Sequence, residues 1–271
     1  MRELEREHPD ETRLTPGGAE LPPLAVIGAG RTGGSIAAAA RRAGLRVELT
    51  GREGALDACR RAEVALLCVP DGAISEACET LAPAIPPLRF VGHVSGATSL
   101  DALAGARERG AEVFSLHPLQ TIPDPDTDLT GAPCAIAGTT PDAEALAERL
   151  TAGLSMRPFR VPEEARAAYH AAASIASNLL VALEESAASL LEEAGIQDGR
   201  ELLAPLVLRT AANWAERGPR ALTGPVARGD MDTVERHLAA LRETAPELIP
   251  LYEALAARAR ELTTEKLETP A

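Results

Sequence analysis

Aromatic residues are scarce in this sequence, since they make up 2% of its 271 residues. A folded core must therefore rely on alanine, leucine and valine within the 45% hydrophobic fraction. Lysine is scarcer still, because Lys266 is the one lysine of the chain. A catalytic lysine in the body of the sequence is thereby excluded.

Net positive charge is also absent, and the formal charge is −13 with acids and bases interleaved. Nucleic acids and anionic membranes bind basic faces, so neither is an expected partner. No apolar run reaches membrane length, and the N-terminus has no hydrophobic signal core. The four cysteines form no C-x-x-C pair, which favours free thiols. We expect a cytoplasmic protein.

Strand and helix patterns alternate over residues 23–162, with apolar runs at 45–50, 63–70, 89–95, 111–118, 134–138 and 157–161. This alternation predicts an α/β fold, a doubly wound parallel sheet with helices on both faces. Residues 163–271 show only helical patterns and are predicted to form a second, all-helical domain. Residues 1–22 are charged and then rich in Thr, Pro and Gly, and they are predicted to be a flexible tail.

The first predicted strand runs into a glycine-rich turn, Gly28-Ala29-Gly30-Arg31-Thr32-Gly33. This spacing between a strand and a helix is typical of dinucleotide binding. Gly28 permits the tight turn, Gly30 lets a pyrophosphate approach the backbone, and Gly33 allows close helix packing. We predict that residues 28–33 bind a cofactor rather than forming a merely structural turn.

The end of the second strand indicates which cofactor binds. NAD sites usually carry an acid there for the ribose 2′-hydroxyl, whereas Thr50 takes that place here. Arg52 can bind a 2′-phosphate through its guanidinium, with Arg31 as a second contact. NADP is therefore the predicted cofactor. Glu53 is the argument for NAD, since it can be the ribose-binding acid displaced by a few positions.

Val69, Pro70 and Asp71 follow the third predicted strand, next to the expected cofactor position. Asp71 either contacts the cofactor or caps the helix that begins near Ile74. The sequence leaves both roles open.

Polar residues also gather at the next two strand ends, in HVSGATSL (93–100) and SLHPLQTI (115–122). Ligands bind at this edge of open parallel sheets, so Ser95, Gly96 and His117 are predicted to contact the substrate. His93 is as well explained by a structural hydrogen bond. No metal is predicted, because no carboxylate or cysteine supports the histidines at ligand spacing.

Several segments occur in a characteristic order: GAGRTG, LLCVPD, HVSG, SLHPLQ, YHAAASIASN and GPVARGD. Together they resemble the Rossmann-like oxidoreductases that carry a C-terminal helical domain of unknown function, over nearly everything from residue 23 onward. More distantly, the chain resembles the superfamily of ketopantoate reductase, 3-hydroxyisobutyrate dehydrogenase and pyrroline-5-carboxylate reductase. The resemblance implies a dinucleotide domain, an active cleft between it and an all-helical domain, and a homodimer formed through the latter.

The resemblance also suggests roles on the helix YHAAASIASN (169–178). In the hydroxyacid and ketopantoate enzymes the matching helix carries a catalytic lysine and, four residues later, an asparagine. Asn178 matches that asparagine, and Ser174 stands at the place of the lysine. His170 lies one turn earlier on the same predicted stripe and is the predicted proton donor, with a structural role as the alternative.

In the segment GPVARGD, Arg228 is a candidate for binding a substrate carboxylate, and Asp230 is a natural N-cap for a helix near Met231. A cap combined with a salt bridge is the simpler interpretation. The alanine- and leucine-rich helices after residue 163 would leave apolar faces uncovered in a single chain, which also predicts a homodimer.

These observations predict an NADPH-dependent reductase of a small oxo acid, with a ketopantoate-like substrate as the first hypothesis. NADPH is expected to bind at least about tenfold more tightly than NADH. A cyclic-imine reductase of the pyrroline-5-carboxylate type and a non-catalytic NADP-binding sensor or scaffold are the alternatives. A deazaflavin partner for NADP also stays open.

Overall fold

The computed structural model describes residues 21–85 and 88–268. The predicted tail at 1–22 lies outside these residues except for Leu21 and Pro22. The chain divides into two compact units, of which the first ends at Ala173 and the second begins at Ser174. Within the described residues, no helix is long and apolar enough to cross a membrane.

The first unit is built on a seven-stranded sheet whose strands all coincide with the predicted apolar runs. The strands are β1 (Leu24–Ile27), β2 (Val47–Thr50), β3 (Val64–Leu67), β4 (Phe90–His93), β5 (Glu112–Pro118), β6 (Pro133–Gly138) and β7 (Arg157–Arg160). Their spatial order is β2-β1-β3-β4-β5-β6-β7. The α/β class predicted from the sequence is confirmed.

The sheet is mostly rather than fully parallel. Strands β1 to β5 are parallel, but β6 pairs with β5 in the antiparallel sense, and β7 follows the direction of β6. A parallel return needs a crossover, usually a helix, and residues 119–132 contain no helix. The expectation of an entirely parallel sheet is therefore wrong at its last two strands.

Helices cover both faces of this sheet: α1 (Arg31–Arg42), α2 (Ala55–Arg60), α3 (Ile74–Leu81), α4 (Ala104–Glu108) and α5 (Pro141–Gly153). One core cluster packs α1 and α5 against side chains such as Val26, Leu66 and Phe114. A second cluster packs α2, α3 and α4 against the opposite face. Alternate residues of each parallel strand thus enter different cores, which explains their continuous apolar sequences.

The parallel strands are in register where they end. Ile27 pairs with Thr50 on one side and with Leu67 on the other, Leu67 pairs with His93, and His93 pairs with Ser115. The segments that follow these strands therefore emerge along one edge, which is where open α/β sheets bind ligands.

The second unit is helical, as predicted. Helix α6 (Arg166–Ala176) begins in the first unit and ends in the second. The other helices of the second unit are α7 (Asn178–Glu193), α8 (Gly199–Arg217), α9 (Pro225–Arg228), α10 (Met231–Thr244) and α11 (Ile249–Glu268). Gly218 follows α8 and Gly224 precedes α9, with φ values of +55° and +93°, in the range that favours glycine. Gly199 lies against the α7 backbone, because a Cβ there would be 2.6 Å from the Ala188 carbonyl oxygen.

The helix predicted over YHAAASIASN (169–178) is interrupted before its last residue, and two helices cover this part of the chain. Ser177 separates α6 from α7 with φ −130° and ψ −81°, outside the helical region. Its N–H donates to the carbonyl of Ser174 at 3.3 Å, so the turn tightens before the second helix begins. The regular spacing predicted from His170 through Ser174 to Asn178 is interrupted at this residue.

The absence of a side chain at Gly92 allows the Phe114 ring to pack against the central strand β4. A Cβ at Gly92 would lie 2.5 Å from the buried Phe114 ring. We predict that Gly92→Ala lowers the free energy of unfolding by about 1–3 kcal/mol, because the ring must move within a dense core. Urea titration measures this change. Gly72→Ala is the matched control, since a Cβ there has nothing within 4 Å, and equal losses in both variants would contradict the packing argument.

Candidate active site

The glycines of the predicted cofactor turn are required by its backbone geometry. Gly28 has φ +115°, and a Cβ on it would lie 2.3 Å from the Cys68 carbonyl oxygen. A Cβ on Gly33 would lie 1.9 Å from the Gly28 carbonyl oxygen, so α1 packs directly on the turn. A Cβ on Gly30, by contrast, would meet nothing within 4 Å.

The open side of Gly30 fits a pyrophosphate. Gly30 is the N-cap residue of α1 and no side chain caps that end, so the first N–H groups of a 12-residue helix remain available to an anion. Ala29, Arg31 and Thr32 complete this turn at the surface. The residues present therefore suit a dinucleotide phosphate.

The end of β2 lies beside this turn. The Gly28 N–H donates to the Thr50 carbonyl at 2.8 Å, and a Cβ on Gly54 would be 2.3 Å from the Thr50 hydroxyl. Arg52 is exposed and forms an ion pair with Glu76 of α3. The guanidinium predicted to recognise a 2′-phosphate thus lies at the expected strand end and already has a carboxylate partner.

Val69 and Pro70 follow β3, and Asp71 begins a short 3₁₀ turn through Ala73. No side chain caps that turn or α3, so Asp71 is not the helix cap that was one of its two predicted roles. Asp71 is exposed and its charge acts on His93 and His117. It stands at the border between the cofactor turn and the polar residues of β4 and β5.

Ser95 closes the turn after β4 with its own hydroxyl. Its Oγ accepts from the N–H groups of Ala97 at 3.2 Å and Thr98 at 2.9 Å, and it donates to the Thr98 hydroxyl at 2.9 Å. The Ser95 N–H donates to Nδ1 of His93 at 3.2 Å. Nε2 of fully buried His93 has no hydrogen-bond partner of normal geometry within the described part of the chain.

His117 lies over the backbone of Gly96. A Cβ on Gly96 would be 2.8–2.9 Å from three atoms of the His117 ring, so the absent side chain makes room for the imidazole. His117 Nδ1 is 2.6 Å from the Tyr169 hydroxyl. The ring of His170 lies edge-on to His117 with centroids 6.1 Å apart.

Helix α6 is attached to the sheet by Arg166, whose side chain is only 7% exposed. Its Nη2 donates to Ser115 Oγ at 3.2 Å, and its Nε donates to Glu163 at 3.1 Å. These contacts lie within the first compact unit, which ends at Ala173. Arg166 and Tyr169 were not among the predicted site residues, although one arginine and one tyrosine ahead of a run of alanines are a usable signal.

Burial sets the protonation of this cluster. Burial, followed by the charge of Arg166, lowers the pKa of His93 to about 4. Burial, followed by the charge of His170, likewise lowers the pKa of His117 to about 4. Burial raises the pKa of Tyr169 to about 12. His93, His117 and Tyr169 are therefore uncharged at neutral pH.

The remaining predicted site residues lie along α6 and the second unit. His170 and Ser174 are on α6, and Nδ1 of His170 is buried without a partner among the described residues. Asn178 begins α7, and its Oδ1 accepts from the Ser177 hydroxyl at 3.2 Å. Arg228 ends α9 and is exposed. Asp230 caps α10 by accepting from the Thr233 N–H at 3.1 Å, as predicted.

In residues 21–85 and 88–268, no group of three metal-binding side chains comes together. His93 is the last residue of β4 and His117 lies near the end of β5, and they form hydrogen bonds with Ser95 and Tyr169.

Comparison with known proteins gives two family matches. Residues 35–118 match the Rossmann-like domain, and residues 132–259 match a domain of unknown function, DUF2520. No curated protein sequence matches the chain significantly.

Solved structures share the fold at low sequence identity. A Bacteroides fragilis protein provisionally assigned as an NADP oxidoreductase is 23% identical, with TM-score 0.72 over 89% of this chain and 98% of its own. A reductive aminase from Aspergillus terreus, solved with NADPH and ethyl-5-oxohexanoate, is 19% identical, with TM-score 0.63 over 90% and 97%. A pyrroline-5-carboxylate reductase from Coxiella burnetii is 17% identical, with TM-score 0.56 over 90% and 99%.

The lowered histidine pKa values make stability depend on pH. An unfolded histidine binds its proton near pH 6.5 and the folded ones near pH 4. Their contribution to stability is complete above pH 6.5 and is lost as the pH falls towards 4. We expect each histidine to lower the free energy of unfolding by roughly 1–2 kcal/mol between pH 7 and pH 5. Urea titrations at both pH values measure this loss.

His117→Asn isolates one histidine, because the amide oxygen can still accept from Tyr169. The variant should lose about half of the pH dependence that the two histidines produce. An unchanged pH dependence would show that His117 is not held neutral in the folded protein.

The two family matches follow one another along the chain, over residues 35–118 and 132–259. The neighbouring structures share this arrangement over nine-tenths of the chain or close to it. The chain is therefore similar to a Rossmann-like domain followed by the domain of unknown function DUF2520, and it shares the fold of the neighbouring structures.

Proposed function

We propose that this protein is an NADPH-dependent reductase that reduces a C=N bond of a small molecule. One observation carries the proposal: a glycine turn shaped for a pyrophosphate and a cluster of buried polar side chains share one edge of the sheet. When bound, NADPH supplies the hydride. A polar cluster beside a dinucleotide turn then serves to hold and protonate the group that accepts it.

The turn at 28–33 and the loop after β2 bind the cofactor. The free N–H groups at the start of α1 bind the pyrophosphate. Arg52 binds the 2′-phosphate, with Arg31 as a second cation, and Thr50 replaces the acid that would favour NAD. Val69, Pro70 and Asp71 border the nicotinamide side of the cofactor.

His117, Tyr169 and His170 are the residues that take part in proton transfer. Because Tyr169 is protonated at neutral pH, its hydroxyl donates to His117 Nδ1 and leaves the imidazole proton on Nε2. His170 lies beside this pair with a buried Nδ1 that has no partner in the described structure. His170 is therefore the proton donor, and His117 fixes and polarises the reacting nitrogen.

A C=N substrate suits the neutral side chains of His117 and Tyr169, because an imine nitrogen takes up a proton more readily than a ketone oxygen. Two structurally similar proteins support this choice, because they are named as a reductive aminase and a pyrroline-5-carboxylate reductase. The comparisons lend no support to the ketopantoate-like substrate expected from the sequence.

An oxo acid is the second candidate substrate. His170 would serve as the proton donor in this reaction too, because reduction of a carbonyl requires a proton on the product oxygen. The Ser95-Gly96 turn borders the same cluster and could orient a carboxylate. The roles that the sequence suggested for Ser174, Asn178 and Arg228 stay predictions.

NADPH consumption with a panel of cyclic imines and oxo acids tests the function. We expect turnover of at least one cyclic imine and a kcat about 100-fold lower for His170→Ala, the usual scale for loss of a general acid. His237→Ala is the control, because His237 lies on α10 and pairs with Tyr252. Tight NADPH binding without turnover of any compound would instead indicate a non-catalytic NADP-binding sensor or scaffold.

We also propose that the protein is a homodimer that pairs through its second unit. Large apolar side chains on α7 and α8 are exposed in the single chain, including Val181 at 62%, Leu206 at 62%, Leu208 at 71% and Trp214 at 65%. Exposed apolar surface of this kind marks interaction sites. A second copy is the occupant that the resemblance to dimeric reductases favours.

Light scattering at low micromolar concentration tests the assembly. We expect a mass of twice the 28.3 kDa chain, and we expect Leu206→Glu to shift the protein towards the monomer by burying a charge in the interface. Met231→Glu is the control, because Met231 is exposed on α10 instead. A monomeric wild-type protein would refute the dimer.

A further inference from the structure

An ion pair joins the loop after β2 to helix α3. The guanidinium of Arg52 contacts the carboxylate of Glu76, and both side chains are largely exposed, at 73% and 67%. A pair this exposed adds little to folding stability. Its position near the cofactor turn allows the ion pair to affect cofactor binding.

The pair lies across the two segments that flank the cofactor turn. Strand β1 lies between β2 and β3. The Gly28 N–H donates to the Thr50 carbonyl at 2.8 Å, and the Cys68 N–H donates to the Ile27 carbonyl at 2.7 Å. These bonds fix both flanks to the end of β1. In dinucleotide folds the adenosine ribose lies beside the end of the second strand, where Arg52 stands.

We propose that Glu76 is a specificity-determining residue that weakens NADPH binding by competing with the 2′-phosphate for Arg52. This inference rests on the proposed NADPH cofactor. A phosphate monoester carries about −1.5 to −2 charges near pH 7, whereas NADH offers only a neutral 2′-hydroxyl. The carboxylate of Glu76 opposes the phosphate and leaves the hydroxyl almost unaffected, so it narrows the preference for NADPH over NADH.

The identity of this carboxylate also bears on the sequence-based choice between NADP and NAD. Glu53, the acid next to Arg52 in the chain, was the argument for a ribose-binding acid in NAD. The carboxylate that pairs with Arg52 is instead Glu76, which comes from the first turn of α3. A helical residue twenty-four positions away was not identifiable from the local motif.

Glu76→Gln tests the proposal, because it removes the charge and keeps the shape. Equilibrium titrations at low ionic strength, followed by nicotinamide fluorescence, give the Kd of NADPH and of NADH. We expect the Kd of NADPH to fall about two- to fivefold, the scale of one exposed charge interaction. The Kd of NADH should stay unchanged. Added salt should reduce the improvement in NADPH affinity that Glu76→Gln produces.

Arg52 supplies the coupling test. Arg52→Ala alone should weaken NADPH binding, and Glu76→Gln should have no further effect in the Arg52→Ala background. Glu79→Gln is the matched control, because Glu79 lies on the same helix and pairs with Arg109 at 3.4 Å. This control should leave both dissociation constants unchanged.

The possible failures are distinguishable. Wild-type binding of NADPH with no change in Glu76→Gln overturns this inference alone. Weaker NADH binding in Glu76→Gln also overturns it, because Glu76 would then hold the ribose hydroxyl. Absence of NADPH binding to the wild-type protein overturns the proposed cofactor together with the inference.

Discussion

The close approach of three backbone segments at the end of β1 is the constraint on which the cofactor side of the molecule depends. The Cys68 carbonyl reaches the Cα of Gly28, and the Gly28 carbonyl reaches the Cα of Gly33, at distances that leave no room for a side chain. Helix α1 can therefore begin directly on the turn, with its N–H groups uncapped. The same approach brings the loops after β2 and β3 together, so that Arg52 and Glu76 meet.

A second attachment determines the chemistry at the other end of this edge. Arg166 and Tyr169 attach α6 to β5 through Ser115 and His117. Burial of a guanidinium and two imidazoles in one place is unfavourable for charge, and the histidines respond with lowered pKa values. His93, His117 and Tyr169 thus stay uncharged at neutral pH beside the charge of Arg166, and they keep donors and acceptors in fixed positions.

The net charge of −13 does not conflict with an anionic cofactor. Charges more than about 8 Å apart in solvent are largely screened at physiological ionic strength. The local field at the turn comes from the α1 N-terminus and from exposed Arg31 and Arg52. Affinity for the dinucleotide therefore depends on a few nearby groups, among them the opposing carboxylate of Glu76.

The sequence by itself determined the seven strands, the helical second half, the glycine turn and the cap at Asp230, because each follows from local periodicity or from a residue with a special conformation. Only the tertiary structure decided the reversal of β6, the break at Ser177 and the partners of His117 and Arg52. Pairs such as His117–Tyr169 and Arg52–Glu76 join residues far apart in the chain. Such contacts depend on how strands and helices pack, and no local pattern of side chains records that.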